Sequence, residues 1–283
     1  MYRKYIKATK KIEPEISLPA TITSGVNESS AILFKVKAPP QIADSKIRRN
    51  QFDLIKFMLI STRNMKVLSI NISEPQKVIF NGKELITSIY KKPVTKKVMV
   101  TSQGIEGDRQ ADLSVHGGYD KAVYGYSYNH YKLWGERLNK EFGEFGLVGE
   151  NLTIDDFDEN NINIGDRFQI NDCILQVSQP RIPCYKIGIK MNSRDFPKMF
   201  SQSGLLGSYF RVIQEGNIEQ GNEIQKIHSE ENSMSLKDIA SLLFVDVKNI
   251  DLMKKAVDIK SLTEEIKEKF RERLMKLGDF SSL

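Results

Sequence analysis

The sequence predicts a mainly β fold, in which a β-barrel-like domain with one inserted helix is followed by a small domain of three helices. Between Met65 and about His228, many short runs of β-branched and aromatic residues are separated by Gly, Asn and Asp. Such strands favour a closed or half-closed barrel over a parallel sheet. The pattern then changes to the spacing of short amphipathic helices. We place the barrel domain at residues 65–230 and the helical domain at residues 231–283.

Residues 1–64 differ from the rest of the chain in charge and composition. They hold 12 Lys+Arg and 5 Asp+Glu, a balance of +7, whereas the remaining residues hold 30 and 31, a balance of −1. A disordered arm, a small accessory element and an upstream extension of a protein that starts at Met65 are all open. We predict a basic N-terminal extension that is disordered or dispensable. Because the net charge of +6 originates there, it gives no reason to expect nucleic acid as a partner.

The strands of the barrel domain follow from alternation and turn residues. The runs "KVLSINI" and "ELITSIYKK" are separated by Asn81-Gly82, a pair that favours a two-residue hairpin turn. The stretch "YNHYKLWGERLNKEF" changes to helical spacing and predicts the inserted helix, with Tyr131, Trp134 and Leu138 on one face. Further strands are predicted at "KKVMVTS", "KAVYGYS", "NLTI", "RFQI", "CILQVSQ", "YFRVIQ" and "EIQKIH".

The last fifty residues predict three helices that follow the polar linker "SEENSM". The first and third helices each begin with a capping-box pattern, Ser235 with Asp238 and Ser261 with Glu264. A helix at "NIDLMKKAV" fits between them. Three short helices with apolar faces predict a small bundle.

The composition indicates a cytoplasmic protein. No apolar run approaches the length of a membrane span, and no apolar core follows the basic N-terminus as it would in a secretory signal. With two cysteines and no export signal, we expect reduced thiols and no membrane partner.

A glycine-rich block at residues 104–127 holds the densest set of candidate functional groups. Gly117 and Gly118 permit backbone conformations that turn amide groups towards an anion. His116 precedes them at a loop end, where it could face a cleft. The alternative is a turn-rich surface loop whose histidine hydrogen-bonds only to neighbouring backbone. The block is neither a phosphate loop nor a dinucleotide fingerprint, because no helix follows it directly.

The two cysteines differ in their surroundings. Cys173 shares a strand face with apolar residues and is predicted to be a core residue. Cys184 lies in a proline-rich loop between Arg181 and Lys186, cations that would favour the thiolate. Such a cysteine could be a nucleophile, a sulfur carrier or a soft metal ligand, or else a buried inert residue. No second cysteine or histidine at ligand spacing supports zinc. A cysteine protease built on Cys184 with His116 or His130 lacks any mark of an oxyanion hole.

Several motifs in order resemble the MOSC domain, named for the C-terminal domain of molybdenum-cofactor sulfurases. They are "GIEGDRQAD", "VHGGYDKAVYGYS", "HYKLW", "GENLT", "IGDRFQI" and "LQVSQPRIPCYK". The sequence is most similar to the YiiM branch of this family, in which a three-helix domain follows. The resemblance covers about Met65 to Leu277 and leaves the first 64 residues unexplained.

The resemblance implies a molybdenum cofactor, with Cys184 as the protein ligand of the metal. One thiolate suffices because the dithiolene of the pterin brings the other sulfurs. The cofactor phosphate needs cations and N–H donors, and the resemblance makes Gly117, Gly118, Arg109, Lys121, Arg181 and Lys186 the candidates. Of the two cations beside the thiol, we expect Arg181 to bind the cofactor anion and Lys186 to have a mixed role.

The resemblance also implies an activity. Asn151 and Asp108 could hydrogen-bond the pterin edge, and His116 could orient the cofactor or relay protons. The YiiM branch is similar to enzymes that reduce N-hydroxylated compounds, such as hydroxylaminopurines, to amines. The electrons would come from an external flavin or iron–sulfur reductase, because the sequence has neither a cysteine cluster nor a dinucleotide fingerprint. A sulfur carrier and a cofactor carrier that use Cys184 without redox turnover stay open. The sequence shows no pyridoxal phosphate domain, so a sulfur carrier would need another protein as its sulfur donor.

Overall fold

The computed structural model describes residues 65–111 and 117–279. The predicted extension at residues 1–64 and the candidate His116 lie outside the described residues. The domain boundaries proposed at 64/65 and 230/231 stay predictions. No helix in the described ranges is long and apolar enough to cross a membrane.

Short strands make up most of the first part of the described chain. They are β1 (Met65–Ile72), β2 (Gln76–Phe80), β3 (Lys83–Thr87), β4 (Lys92–Val94), β5 (Val98–Thr101), β6 (Gly104–Ile105), β7 (Val123–Ser127), β8 (Leu152–Ile154), β9 (Arg167–Ile170), β10 (Cys173–Pro180), β11 (Ser208–Gln214), β12 (Gly216–Ile218) and β13 (Glu223–His228).

Seven of these strands close into a barrel in the order β1-β13-β9-β10-β11-β7-β8 and back to β1. All neighbouring pairs in the ring are antiparallel except β7 and β8, which are parallel. A ring with an odd number of strands needs an odd number of parallel pairs, because the strand direction must be restored after one circuit. Closure removes the unpaired sheet edges that promote aggregation. The predicted β-barrel is confirmed.

Two smaller sheets lie beside the barrel. Strands β2 and β3 form a hairpin whose turn residues Asn81 and Gly82 have φ of 51° and 73°. Positive φ at both turn positions is type I′ geometry, and the predicted two-residue turn is confirmed. The strand before the turn is β2, however, and not the run "KVLSINI", which forms β1 of the barrel. Strands β12, β5 and β6 form the second sheet.

Six helices lie in the described ranges: α1 (Asn129–Leu138), α2 (Tyr185–Lys190), α3 (Phe196–Ser203), α4 (Leu236–Phe244), α5 (Ile250–Val257) and α6 (Glu264–Lys276). Helix α1 is the predicted inserted helix, and Tyr131 and Trp134 are buried on its inner face. Helices α4 to α6 are the predicted C-terminal helices. Helices α2 and α3 were not predicted, because six and eight residues are too few to display a helical period.

One of the two predicted caps is found, with the hydrogen bond that its N-cap side chain accepts. The Ser235 side chain accepts a hydrogen bond from the Asp238 amide and caps α4. The prediction for Ser261 is wrong, since α6 begins after Thr263. The Ser261 hydroxyl instead accepts a hydrogen bond from Gln176 of β10. A tertiary contact therefore takes the side chain that the local pattern assigned to the cap.

One apolar cluster fills the barrel and continues into the three C-terminal helices. It joins barrel residues such as Leu175 and Phe210 to helix residues such as Ile239 and Phe270. Cys173 belongs to this cluster and is fully buried, as predicted. Because barrel and helices share a core, the helices can fix the loops at the adjoining end of the barrel.

Candidate active site

The strand register makes residues that are far apart in sequence neighbours in the barrel wall. Pro180 pairs with Ser208, Ser208 with Gly125, Gly125 with Leu152, and Leu152 with Ile70. Three segments beside these strands contribute to one site. They are the loop after β10, the residues before β8 and the turn before β7.

A pocket opens between these segments, and Cys184 lies in its wall. It encloses about 560 Å³, a volume that includes space open to solvent. The lining residues are Thr87, Ser88, Ile89, Lys91, Gln110, Ala111, Gly117, Lys121, Tyr124, Gly149, Asn151, Arg181, Cys184, Lys186 and Tyr209.

Cys184 stands between β10 and α2, at the N-cap position of that helix. Its backbone is extended, with φ of −105° and ψ of 167°, and its carbonyl accepts a hydrogen bond from the Ile187 amide. The thiol is half-buried, whereas that of Cys173 is fully buried. Burial raises the pKa of Cys173 to about 12. The pocket therefore presents one accessible cysteine.

Arg181 is buried below Cys184. Its guanidinium donates to the Val148 carbonyl and lies 4.7 Å from the centroid of the Tyr124 ring. Burial opposes its charge, but Tyr124, Tyr209 and Cys184 raise the pKa of Arg181 above its ordinary value. The guanidinium is thus a fixed positive charge within electrostatic range of the sulfur.

Lys91 lines the pocket and is paired with Asp108, which is not among the lining residues. Both side chains are 4% exposed, and the Lys91 ammonium contacts both carboxylate oxygens. Asp108 also accepts hydrogen bonds from the Ser73 amide at 2.8 Å and from the Gln110 side chain at 3.2 Å. Burial lowers the pKa of Lys91, while Asp108 acts against that shift. The pair ties the loop after β6 to the segment before β4.

Both the oxygen and the nitrogen of the Asn151 side-chain amide form hydrogen bonds within the protein. Its oxygen accepts from the Tyr124 amide at 3.1 Å, and its nitrogen donates to Asp108 at 2.9 Å and to the Asn71 carbonyl at 3.3 Å. Asn151, which lines the pocket, is thus bonded to Asp108, which does not. Their predicted hydrogen bonds to a pterin edge stay predictions.

Ser88 contributes a buried hydroxyl without a visible partner. The residue is 6% exposed and lines the pocket, and its Oγ has no hydrogen-bond partner in the described part of the chain. A buried hydroxyl left without a hydrogen bond costs about 1–3 kcal/mol. A ligand in the pocket could satisfy this atom.

Most of the remaining predicted residues line the pocket or lie next to it. Lys121, Lys186 and Gly117 line the pocket, and Gly118 is next to them with φ of 80°. The Lys186 ammonium donates to the Ile86 carbonyl at 3.1 Å.

Arg109 is not among the lining residues. Its side chain is 77% exposed and lies 3.6 Å from the Glu74 carboxylate. Although it follows Asp108 directly in sequence, it points to a different part of the surface.

Sequence reasoning assigned no role to several residues of this region, four of which bear on its charges and hydrogen bonds. Lys91 and Ser88 line the pocket, and Glu150 and Lys190 act on the charges behind it. Glu150 is fully buried and accepts hydrogen bonds from the Val148 amide and the Thr153 hydroxyl. Burial lowers the pKa of Lys190 to about 8. No local signal separates Lys91 from its exposed neighbour Lys92, but a glutamate in the apolar run "FGLVGENLTI" could have been noted as a buried charge.

Comparisons with known proteins agree with this architecture. Residues 112–225 match the MOSC domain, and residues 234–277 match the YiiM-like, 3-alpha helix domain. The uncharacterized protein YflK of Bacillus subtilis is 35% identical over 207 residues, which are 73% of this chain and 93% of that protein. The chain belongs to the YiiM branch of the MOSC family. As a MOSC-family protein, the chain belongs to a family that is associated with the molybdenum cofactor.

Two further similarities concern structure and activity. The crystal structure of YiiM from Geobacillus stearothermophilus matches with a TM-score of 0.63 and 32% identity, covering 74% of this chain and 99% of that one. A protein of Gibberella moniliformis named "Reductase" is 34% identical over 146 residues, which are 50% of this chain and 26% of that protein.

Proposed function

We propose that the protein binds the molybdenum cofactor in the Cys184 pocket and reduces N-hydroxylated compounds, such as hydroxylaminopurines, to amines. The observation that carries the proposal is a single accessible thiol in a pocket with four cations in its lining, Lys91, Lys121, Arg181 and Lys186. Membership of the MOSC family supports the cofactor. The similarity to a fungal protein named as a reductase supports the reaction class.

The donor set of the pocket fits this cofactor. A soft thiolate suits molybdenum, and cations with N–H groups suit the phosphate. The unpartnered Ser88 hydroxyl offers one more hydrogen bond to a ligand. Within residues 65–111 and 117–279, no group of three or more His, Cys, Asp or Glu side chains could hold a metal ion. The protein would thus supply one metal ligand, and the cofactor would supply the rest.

Each residue then has a role in holding the ligands. Cys184 would bind the metal, and Arg181, fixed by Val148 and Tyr124, would keep positive charge beside the sulfur. Lys121 and Lys186 would bind the phosphate from the pocket edge. Asp108 holds Lys91 and Asn151 in place, so it would act on the ligand through these two side chains.

The bound cofactor would supply the two-electron chemistry by which an N-hydroxyl compound, two electrons and two protons give an amine and water. The electrons would come from an external flavin or iron–sulfur reductase. The partly open pocket gives the small substrate access to Cys184. We expect the protein to act in the cytoplasm without a nucleic-acid or membrane partner.

Metal analysis and turnover test the proposal. The purified protein should contain molybdenum and pterin in stoichiometric amounts and should reduce a hydroxylamine with a chemical reductant. Cys184→Ser should abolish turnover and change the Mo(V) paramagnetic spectrum. Cys173→Ala, a change in the core away from the pocket, should do neither.

Other outcomes favour the alternatives. Bound cofactor without turnover would identify a cofactor carrier, and persulfide on Cys184 would identify a sulfur carrier. Full activity in Cys184→Ser would exclude Cys184 as the metal ligand.

A further inference from the structure

The loop that carries Lys121 is fastened to the C-terminal helices. Ser178 of β10 donates to the Asp120 carbonyl at 2.6 Å, and the Asp120 carboxylate pairs with Arg211 of β11. Arg211 also donates to the Ser261 carbonyl at 2.7 Å, in the turn before α6. One arginine thus links the pocket loop to the start of α6.

The start of α6 is also fixed to the barrel directly. The Thr263 hydroxyl donates to the Gln179 side chain at 2.7 Å, and Thr263 is 2% exposed. Ile266 and Phe270 of the same helix are fully buried in the core that is shared with the barrel. The first turn of α6 therefore has a defined position beside the pocket loop.

Glu265 reaches from this first turn to the pocket. Its carboxylate contacts the Lys121 ammonium, which is 17% exposed and lines the pocket. Lys269 lies 3.4 Å from the other carboxylate oxygen. Although burial acts in the opposite direction, the contact with Lys121 helps to lower the pKa of Glu265. The carboxylate is thus charged and shares its cation with the pocket.

We propose that Glu265 is a positioning residue that competes with the pocket's anionic ligand for Lys121, so that the C-terminal helices control the anion affinity of the pocket. The carboxylate holds the ammonium at the pocket edge and cancels part of its field. An entering phosphate group must share Lys121 with Glu265 or displace it. This inference rests on the proposed function only in taking the pocket as an anion site.

The competition predicts that replacing Glu265 strengthens anion binding and that replacing Lys121 weakens it. Glu265→Gln removes the competing charge, so the full-length cofactor-free protein should bind inorganic pyrophosphate about two- to fivefold more tightly, the range of a partly exposed ion pair. Lys121→Met removes the shared cation and should weaken binding. A merely structural link would weaken binding in both variants.

Glu264 is the matched control. It is the neighbouring acid in the same helical turn, 72% exposed, and it pairs with Lys267 and Arg271 of its own helix. Glu264→Gln should leave pyrophosphate binding unchanged. The double variant Glu265→Gln/Lys121→Met should bind like Lys121→Met alone, because Glu265 acts through Lys121.

Isothermal titration calorimetry at low ionic strength measures these affinities. The proposal is overturned if Glu265→Gln binds pyrophosphate no more tightly than the wild type, if its effect persists without Lys121, or if no variant binds pyrophosphate. Failure of the proposed function looks different. The predicted changes in pyrophosphate affinity would then appear, although the purified protein contains no molybdenum and shows no catalytic turnover.

Discussion

Two buried pairs of titratable side chains in this molecule differ in their hydrogen bonding and in the charge state that burial favours. Lys91, which lines the pocket, forms an ion pair with Asp108, and hydrogen bonds surround the carboxylate. His130 and Glu159 lie where α1 meets the start of α4, with Nε2 and Oε2 3.4 Å apart. There His130 Nδ1 and Glu159 Oε2 have no hydrogen-bond partner in the described chain.

The difference lies in the charge state that burial leaves. Burial raises the pKa of Glu159 to about 7 and lowers that of His130 to about 4. Between these values both groups are neutral, despite Lys237 and Asp158 nearby. At the pocket, Lys91 and Asp108 form an ion pair, and Asp108 opposes the lowering of the pKa of Lys91 by burial. Burial thus favours the neutral form where hydrogen bonds are scarce, and an ion pair in a hydrogen-bond network acts against it.

The largest expected effect comes from breaking the charged pair. Asp108→Asn leaves the Lys91 ammonium buried without a counter-charge and should lower the free energy of unfolding by about 3–5 kcal/mol. Denaturant unfolding at pH 7 measures this loss. The double variant Lys91→Met/Asp108→Asn should recover most of it, because no uncompensated charge remains.

Glu74→Gln is the control for this change. It breaks the exposed pair with Arg109 and should change stability by less than about 1 kcal/mol. An equally small loss in Asp108→Asn would show that Lys91 is not held as a buried cation.

The neutral pair predicts an intermediate effect that depends on pH. Glu159 binds a proton more tightly when folded, so its contribution to stability falls as pH rises from about 4.5 to about 7. His130 binds a proton more weakly when folded, so its contribution falls as pH drops from about 6.5 to about 4. In the shared window the two slopes oppose each other, and the wild type should show little net dependence from this pair.

Single substitutions separate the two slopes. Glu159→Gln should reveal the pH dependence that is due to His130. The free energy of unfolding should fall by about 2–3 kcal/mol on going from pH 6.5 to 4. His130→Asn should expose the opposite slope, with stability falling as pH rises to 7. Thermal unfolding relative to the wild type at each pH measures both, and slopes of the same sign would refute the assignment.

The smallest effect concerns two buried hydroxyls. The Oγ atoms of Ser88 and Ser127 both lack a hydrogen-bond partner in the described residues, but only Ser88 lines the pocket. Either serine replaced by alanine should stabilise the cofactor-free protein by about 1 kcal/mol. Only Ser88→Ala should also lower molybdenum and pterin occupancy, measured in the purified protein. Equal occupancy in the two variants would remove Ser88 from the binding site.

Local patterns predicted the elements of this fold well. Seven of the predicted runs became the barrel strands, whereas "ELITSIYKK" and "KKVMVTS" became β3 and β5 of the two smaller sheets. Asn81-Gly82 made its hairpin turn. The predicted difference between Cys173 in the core and Cys184 in a loop is confirmed. These features depend on backbone preferences and on burial of one face, which a window of a few residues encodes.

The candidate site was predicted in part, because neighbours in sequence do not predict neighbours in the fold. Arg109, which follows Asp108 directly, was a candidate cation for the cofactor phosphate, but it pairs with Glu74 at the surface. Lys91, 17 positions before Asp108, is the cation that the carboxylate binds. The cap predicted at Ser261 failed because Gln176, 85 positions away, binds its hydroxyl.

The sequence by itself determined the seven barrel strands, the inserted helix, the three C-terminal helices and the cysteine in the loop after β10, since each depends on nearby residues. Only the tertiary structure decided which cations face that cysteine and that Lys121 meets Glu265, 144 positions later. The physical reason is the barrel register. It sets side by side the ends of strands that are far apart in sequence, and a polar side chain buried there bonds to whichever group the register brings near.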